Sequence, residues 1–344
     1  MATLQVQRLS IAFADRQLLN DISFTLSERA RTALVGANGS GKSTLLQIIA
    51  GLVSADIYEC AHPKEMRISY LPQSDIVLED GTAFEQVELA YNRFLPLVDE
   101  QHSIEERLAT GELSDYLLQR LHEIQETLLD EGYHDRKTEI AIILKGLGFH
   151  DDDLHRPCSE FSGGWQMRIA LAKVLAEKPH LLLLDEPTNY LDIEARYWLR
   201  NYLRVYPESV MIVSHDQGFL DETVNEVYEL FQGKLHRYSG NYSQYVKQRE
   251  LEIAQLEAAY KLQQDQLEKT EQFIEKFRYK ATKSKQVQSR IKMLEKLEIV
   301  EVPSHLKQLS FSFPPAPHSG NDVLIIEHLV KRYPALEIFS DFSL

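Results

Sequence analysis

Residues 36–43 read Gly36-Ala37-Asn38-Gly39-Ser40-Gly41-Lys42-Ser43, a spacing suited to holding phosphate. Glycines let successive backbone N–H groups wrap an anion, and the following helix N-terminus adds a favourable dipole. Lys42 would neutralise the β- and γ-phosphates of a nucleotide, while Ser43, with Thr44 beside it, would ligate Mg2+. Far downstream, Leu181-Leu182-Leu183-Leu184 runs into Asp185-Glu186. An acid at the end of a buried strand suits a metal held through water, and its neighbour suits polarising an attacking water. Either motif alone could be a chance glycine-rich turn or a surface pair of acids. Together they point to binding and hydrolysis of MgATP.

Such groups need strands to carry them. Residues 3–13 and 22–26 alternate like half-buried strands, and Thr32 to Val35 is an apolar strand feeding the glycine loop, with a helix beginning near Ser43. Leu181 to Leu184 and Val210 to Val213 are continuous apolar runs, the mark of strands covered on both faces. Residues 83–150, rich in Leu, Glu and Gln at helical spacing, read as a helical insertion in an α/β domain. From about Tyr242 the composition shifts. Leu251, Ala254, Leu256, Tyr260, Leu267, Ile274 and Phe277 mark one face of a long charged helix, and a second helix is expected over about 284–297. Two such helices suggest an antiparallel hairpin or linker. Pro303, Pro314, Pro315 and Pro317 then break regular structure.

The bulk composition is that of a soluble globular protein, 44% apolar and 26% charged, and 344 residues suffice for two domains. A net charge of −15 argues against general affinity for nucleic acid or acidic membrane. Cys60 and Cys158 are far apart in sequence, which excludes a disulfide framework and fits a reducing compartment. The start lacks a signal-peptide apolar region, and the longest apolar run is only about a strand long, so no integral membrane segment is expected and the expected location is cytoplasmic. His215 is the one histidine given a functional role; the others lack paired metal-ligand spacing. Tyr202 and Tyr206, at helical spacing, read as packing.

The motifs resemble those of the ABC ATPase superfamily. Phe161-Ser162-Gly163-Gly164-Trp165-Gln166 resembles its signature, Gln73 in Tyr70-Leu71-Pro72-Gln73 its Q-loop, and Leu191-Asp192 its D-loop. Ser214-His215-Asp216 is similar to its switch-histidine segment, and Phe13 sits where the family stacks an aromatic on adenine. The resemblance implies an α/β P-loop cassette with a helical subdomain. It also implies that Gln73 senses Mg2+ and water, Glu186 is the catalytic base and His215 contacts the γ-phosphate. Ser162, Gly163 and Gly164 would serve an ATP held by a different cassette, and Asp192 would also lie at a nucleotide. One departure is Arg29, where such cassettes often have glycine; it puts a local turn in question.

Within the superfamily, the chain resembles the ABC-F subfamily, twin-cassette ATPases that generally act on ribosomes. Asn189 in Pro187-Thr188-Asn189-Tyr190, Trp165 after the paired glycines and the helical interval 243–305 carry that likeness. Shifted by 320 residues, Leu4, Leu9, Phe13, Leu19, Asp21, Ser23 and Phe24 fall on Leu324, Leu329, Tyr333, Phe339, Asp341, Ser343 and Leu344, an ungapped partial repeat. The expected partition is therefore a cassette over 1–242, with its helical subdomain at about 75–160, a hairpin linker over 243–302, a connector over 303–321 and the start of a truncated second cassette over 322–344. Lys276, Arg278, Lys280, Lys283, Lys285, Arg290 and Lys292 occur without an intervening acid, and setting these seven charges aside leaves −22 on the rest. This stripe is the footprint expected for phosphate of rRNA or tRNA, against the plainer reading of a solvated helix face. Two other readings compete: the ATP-binding subunit of a membrane transporter, and a catalytically weak fragment. For a chain truncated in its second cassette, the missing partner would be a second copy acting in trans.

Overall fold

The computed structural model describes residues 4–13, 16–74, 76, 78–112, 114–277, 288, 312, 314, 324–333 and 336–344. Two compact units emerge, Met1–Glu252 and Ile253–Leu344. The first begins with β1 (Leu4–Phe13), β2 (Arg16–Leu26), β3 (Arg31–Gly36), α1 (Lys42–Ile49), β4 (Ile57–Ala61) and β5 (Ile68–Leu71). A helical block follows: α2 (Ala83–Glu88), a 3-10 segment (Leu89–Phe94), α3 (Leu95–Ala109), α4 (Asp115–Asp130), α5 (Arg136–Gly146) and α6 (Gly163–Ala176). The chain returns through β6 (Leu181–Asp185), α7 (Ile193–Val205), β7 (Ser209–Val213), α8 (Gln217–Thr223), β8 (Glu226–Phe231) and β9 (Lys234–Ser239), then enters α9 (Tyr242–Phe277).

The central sheet has the order β5-β6-β7-β3-β8-β9, parallel except for β9. The four-leucine run of β6 shows why it is central. Leu181 and Leu183 join a core with α1 and the antiparallel β2-β1-β4 sheet, whereas Leu182 and Leu184 join a core with α6, α7 and the helical block. All four are fully buried, at about 1.5–3 kcal/mol each. Local signals set the helix ends. Thr82 and Glu85 form a capping box on α2, while Asp192 and Asp216 cap α7 and α8 through Ala195 and Phe219. Tyr202 stacks on Trp198, and Tyr206 is buried with its hydroxyl donating to the Pro179 carbonyl, so both are packing residues.

Two expectations shift. The strand read at 22–26 begins at Arg16, because β2 pairs along β1 as far as Phe13 with Arg16. The unit boundary falls after Glu252, inside α9, since the first turns of that helix dock on β8 and β9. Tyr245 packs edge-on to Tyr238, and Arg249 pairs with buried Glu229 at 3.0 Å while lying over the Phe231 ring. Arg29 adopts a left-handed φ of 56° in the turn before β3, the conformation a glycine takes without strain.

In the second unit, α9 carries a half-buried stripe through Leu256, Gln263, Leu267, Thr270 and Ile274, while Tyr260 is exposed; Leu251, just before the boundary, is exposed as well. The expected helix over 284–297 and the connector lie almost wholly outside the described residues. So do Arg278, Lys280, Lys283, Lys285, Arg290 and Lys292; Lys276 falls within α9. The unit ends in a hairpin, β10 (Leu329–Tyr333) with β11 (Leu336–Phe342), pairing Leu329 with Phe342, Lys331 with Phe339, Arg332 with Glu337 and Tyr333 with Leu336. Subtracting 320 from each gives Leu9 with Ile22, Ile11 with Leu19, Ala12 with Gln17 and Phe13 with Arg16, all pairs of the β1–β2 hairpin. His328 meets Asp341 at 2.6 Å where Arg8 meets Asp21 at 3.4 Å, again 320 residues apart.

Candidate functional site

Four adjacent parallel strands end on one edge of the sheet, and each delivers a group there. After β5 comes Gln73, β6 ends in Asp185 with Glu186 next, β7 leads to His215, and β3 runs into the glycine loop. Open α/β sheets bind ligands outside the carboxyl ends of their strands. A cleft of about 340 Å3 lies at this edge. Asn38, Gly39, Gly41, Lys42, Ser43 and Thr44 line it together with Gln73, Asp185, Glu186 and His215, and Leu18 and Val213 complete the lining.

The loop is shaped for a phosphate. A Cβ on Gly36 would lie 2.5 Å from the Leu230 carbonyl oxygen, and Gly41, at the start of α1, has a φ of 106°. Only glycine meets both demands without strain. The Lys42 ammonium donates to the carbonyls of Gly36 and Ala37 at 2.9 and 3.1 Å, holding the loop closed around its own cation. Burial pulls Lys42 below its ordinary pKa, against the opposing pull of Glu186 and Asp185. The Ser40 hydroxyl is buried without a hydrogen-bond partner among the described residues.

The two acids occupy different surroundings. Burial raises Asp185, while hydrogen bonds from Ser43 and Tyr70 and the charge of Lys42 oppose that rise. Glu186 is 4% exposed; burial raises it too, opposed chiefly by His215. Its Oε2 accepts the His215 backbone N–H at 3.2 Å. Its Oε1 has no hydrogen-bond partner among the described residues and lies 3.5 Å from His215 Nε2. The Glu186 backbone is left-handed, with φ 54°, a conformation costing a non-glycine residue about 1–2 kcal/mol. A carboxylate held this way can take a proton from water at the cleft. The hydroxyl of Ser43 and the carboxylate of Asp185 are hard oxygen donors of the kind Mg2+ prefers, and the glycine cradle fits phosphate, so the residues present suit MgATP.

Other candidates are not brought into this cleft. Phe13 ends β1, 54% exposed, and is not among the lining residues; Leu18 is. Ser162, Gly163 and Gly164 open α6 away from the lining, with nothing within 4 Å of a Cβ built on Gly163. Asp192 caps Ala195 at 2.8 Å and meets Arg168 at 2.8 Å, and these contacts hold its carboxyl below the ordinary range. Tyr70 and Arg168 escaped sequence reasoning. Tyr70 sits three residues before Gln73 and its hydroxyl donates to Asp185 at 3.5 Å, a role its neighbourhood hinted at; Arg168 carried no local signal.

Two family models, both described as ABC transporter, match residues 19–189 and 228–313. An ABC transporter ATP-binding protein of Bacillus subtilis, YfmM, is 34% identical over 97% of this chain and 65% of its own length. The probable ATP-binding protein YheS of Escherichia coli is 36% identical over 94% of this chain and 50% of its own. The mouse ATP-binding cassette sub-family F member 3 is 34% identical over 90% of this chain and 43% of its own. The chain thus spans 43–65% of the length of these relatives. A solved ATP-binding subunit of an ABC transporter shares the fold, with a TM-score of 0.52 at 19% identity, covering 69% of this chain and 89% of that one. Among the described residues, no helix is long and apolar enough to cross a membrane. With its glycine loop, strand-end acids and signature turn in the matched region, the chain belongs to the ATP-binding ABC ATPases, within the F subfamily.

Proposed function

We propose that this protein hydrolyses ATP and uses the cycle to act on the ribosome through its basic segment at 276–292. The observation that carries the ATPase reading is the convergence of the glycine loop, Gln73, Asp185, Glu186 and His215 on one cleft. Lys42 and the loop amides bind the β- and γ-phosphates, and Ser43, Gln73 and Asp185 hold Mg2+, which neutralises phosphate charge when bound. Glu186 orients the attacking water and accepts its proton, while His215, beside Glu186, reaches the γ-phosphate.

Ser162, Gly163 and Gly164 lie outside the cleft's lining, so we assign them, with Asp192, to a nucleotide held by another cassette. That cassette belongs either to the same polypeptide in a longer protein or to a second molecule. The shared register of β10–β11 and β1–β2 supports reading 322–344 as the opening hairpin of a second cassette. The ribosome reading rests on seven cations without an acid in an otherwise acidic chain, and places the protein's work in the cytoplasm. If about four of them meet phosphate, log K falls against log salt with a slope of about −3 to −4. Co-sedimentation with purified ribosomes across a salt series measures that slope. Neutralising Lys280, Lys283 and Lys285 together should flatten it by about 2 to 3. Salt-insensitive binding, or binding unchanged in the triple variant, refutes the RNA role. Activity that instead tracks with a membrane permease favours the transporter-subunit reading.

A further inference from the structure

Glu186 sits at the start of a tight run that is anchored at both ends. Its N–H donates to the Val213 carbonyl at 2.8 Å, which ties the near end to β7. The Asn189 N–H then returns to the Glu186 carbonyl, and the Leu191 N–H to that of Thr188, both at 3.3 Å. The Thr188 and Ser214 hydroxyls meet at 3.1 Å inside the turn. Beyond it stands Arg168, on α6. Its Nε donates to the Tyr190 carbonyl at 2.8 Å, and one Nη donates to Asp192 Oδ2 at 2.8 Å and to the Leu147 carbonyl at 2.9 Å. The guanidinium also lies 4.4 Å over the Trp165 ring. Arg168 and Glu186 line the same small cavity, about 10 Å3, with Pro187, Tyr190 and Leu191.

A left-handed glutamate persists only where its surroundings over-determine it. We propose that Arg168 is a positioning residue for the base Glu186, holding the far end of the 186–192 turn by one guanidinium that reaches Tyr190, Asp192 and the end of α5 at once. Lysine cannot replace it, because a point-like ammonium lacks the planar fork that serves three acceptors in fixed directions. The inference rests on the ATPase reading given above.

The test is steady-state and single-turnover ATP hydrolysis by the full chain carrying Arg168→Lys, alone and combined with Glu186→Gln. A base displaced by about 1 Å costs up to about 100-fold, so kcat should fall about 10- to 100-fold. KM for ATP should stay within about twofold, since the glycine loop is untouched. In the Glu186→Gln background, Arg168→Lys should slow the residual single turnover by less than about twofold, because the group it positions is already gone. A thermal melt and an ATP titration of Arg168→Lys, both close to wild type, should show a folded, ATP-binding protein and so separate a lost position of the base from a lost fold. A normal kcat in Arg168→Lys, or an equal loss in both backgrounds, overturns the inference. A wild-type chain that neither binds ATP nor turns it over as protein concentration is raised to bring two cassettes together overturns the ATPase reading, and this inference with it.

Discussion

Replacing Glu186 with glutamine separates the work of the carboxylate from its shape. Oε2 accepts the His215 N–H at 3.2 Å, a bond the amide oxygen can keep. What disappears is the proton acceptor at Oε1, the oxygen without a hydrogen-bond partner among the described residues. Loss of a general base costs about 10²- to 10⁴-fold, or about 3–5 kcal/mol of barrier, so hydrolysis should nearly vanish. Binding should not, because Lys42 and the loop glycines are unchanged. Stability supplies an independent sign. Burial raises the pKa of Glu186, so the fold favours its neutral form. Ionisation therefore opposes folding above the raised pKa, and this opposition disappears below the ordinary carboxylate range. Glu186→Gln should melt higher than wild type at neutral pH, with the advantage shrinking as pH falls through the carboxylate range. ATP turnover, ATP titration and thermal melts at several pH values measure the three quantities. Wild-type turnover in the variant would remove Glu186 from its assigned role. A variant less stable at neutral pH would show instead that His215 and Lys42 more than offset the burial of the charge.

Two further substitutions probe the loop. Lys42→Ala should weaken ATP binding itself, because the ammonium that now bonds Gly36 and Ala37 also meets the phosphates; titration with ATP shows this as a raised Kd, and an unchanged Kd refutes it. Gly36→Ala pushes a methyl to 2.5 Å from the Leu230 carbonyl, so β3 and β8 must part or the loop must move; a loss of about 1–3 kcal/mol is expected in denaturant titration, with weaker ATP binding, and wild-type values for both would refute the steric argument.

Much of this protein is local enough to read along the chain. Glycine spacing in 36–41 specifies a backbone that only glycine tolerates, and the Leu181–Leu184 run announces a strand covered on both faces, because burial acts on each residue separately. The 320-residue repeat was visible as matched residue types, and β10–β11 has the register of β1–β2. Other features depend on which distant segments pair. That β5, β6, β7 and β3 lie side by side, bringing Gln73, Asp185, Glu186 and His215 to one cleft, follows from pairings such as Leu71 with Leu184 and Ala33 with Ile212. No periodicity encodes those pairings; competition among apolar faces for burial selects them. Phe13 falls outside the cleft lining for the same kind of reason, since the sheet it belongs to fixes where its strand ends. The left-handed Glu186 and its restraint by Arg168 are likewise tertiary. An arginine eighteen residues earlier becomes a neighbour of the base only when α6 packs against β5 and the turn after Glu186, where one guanidinium can collect carbonyls from segments that share no sequence signal.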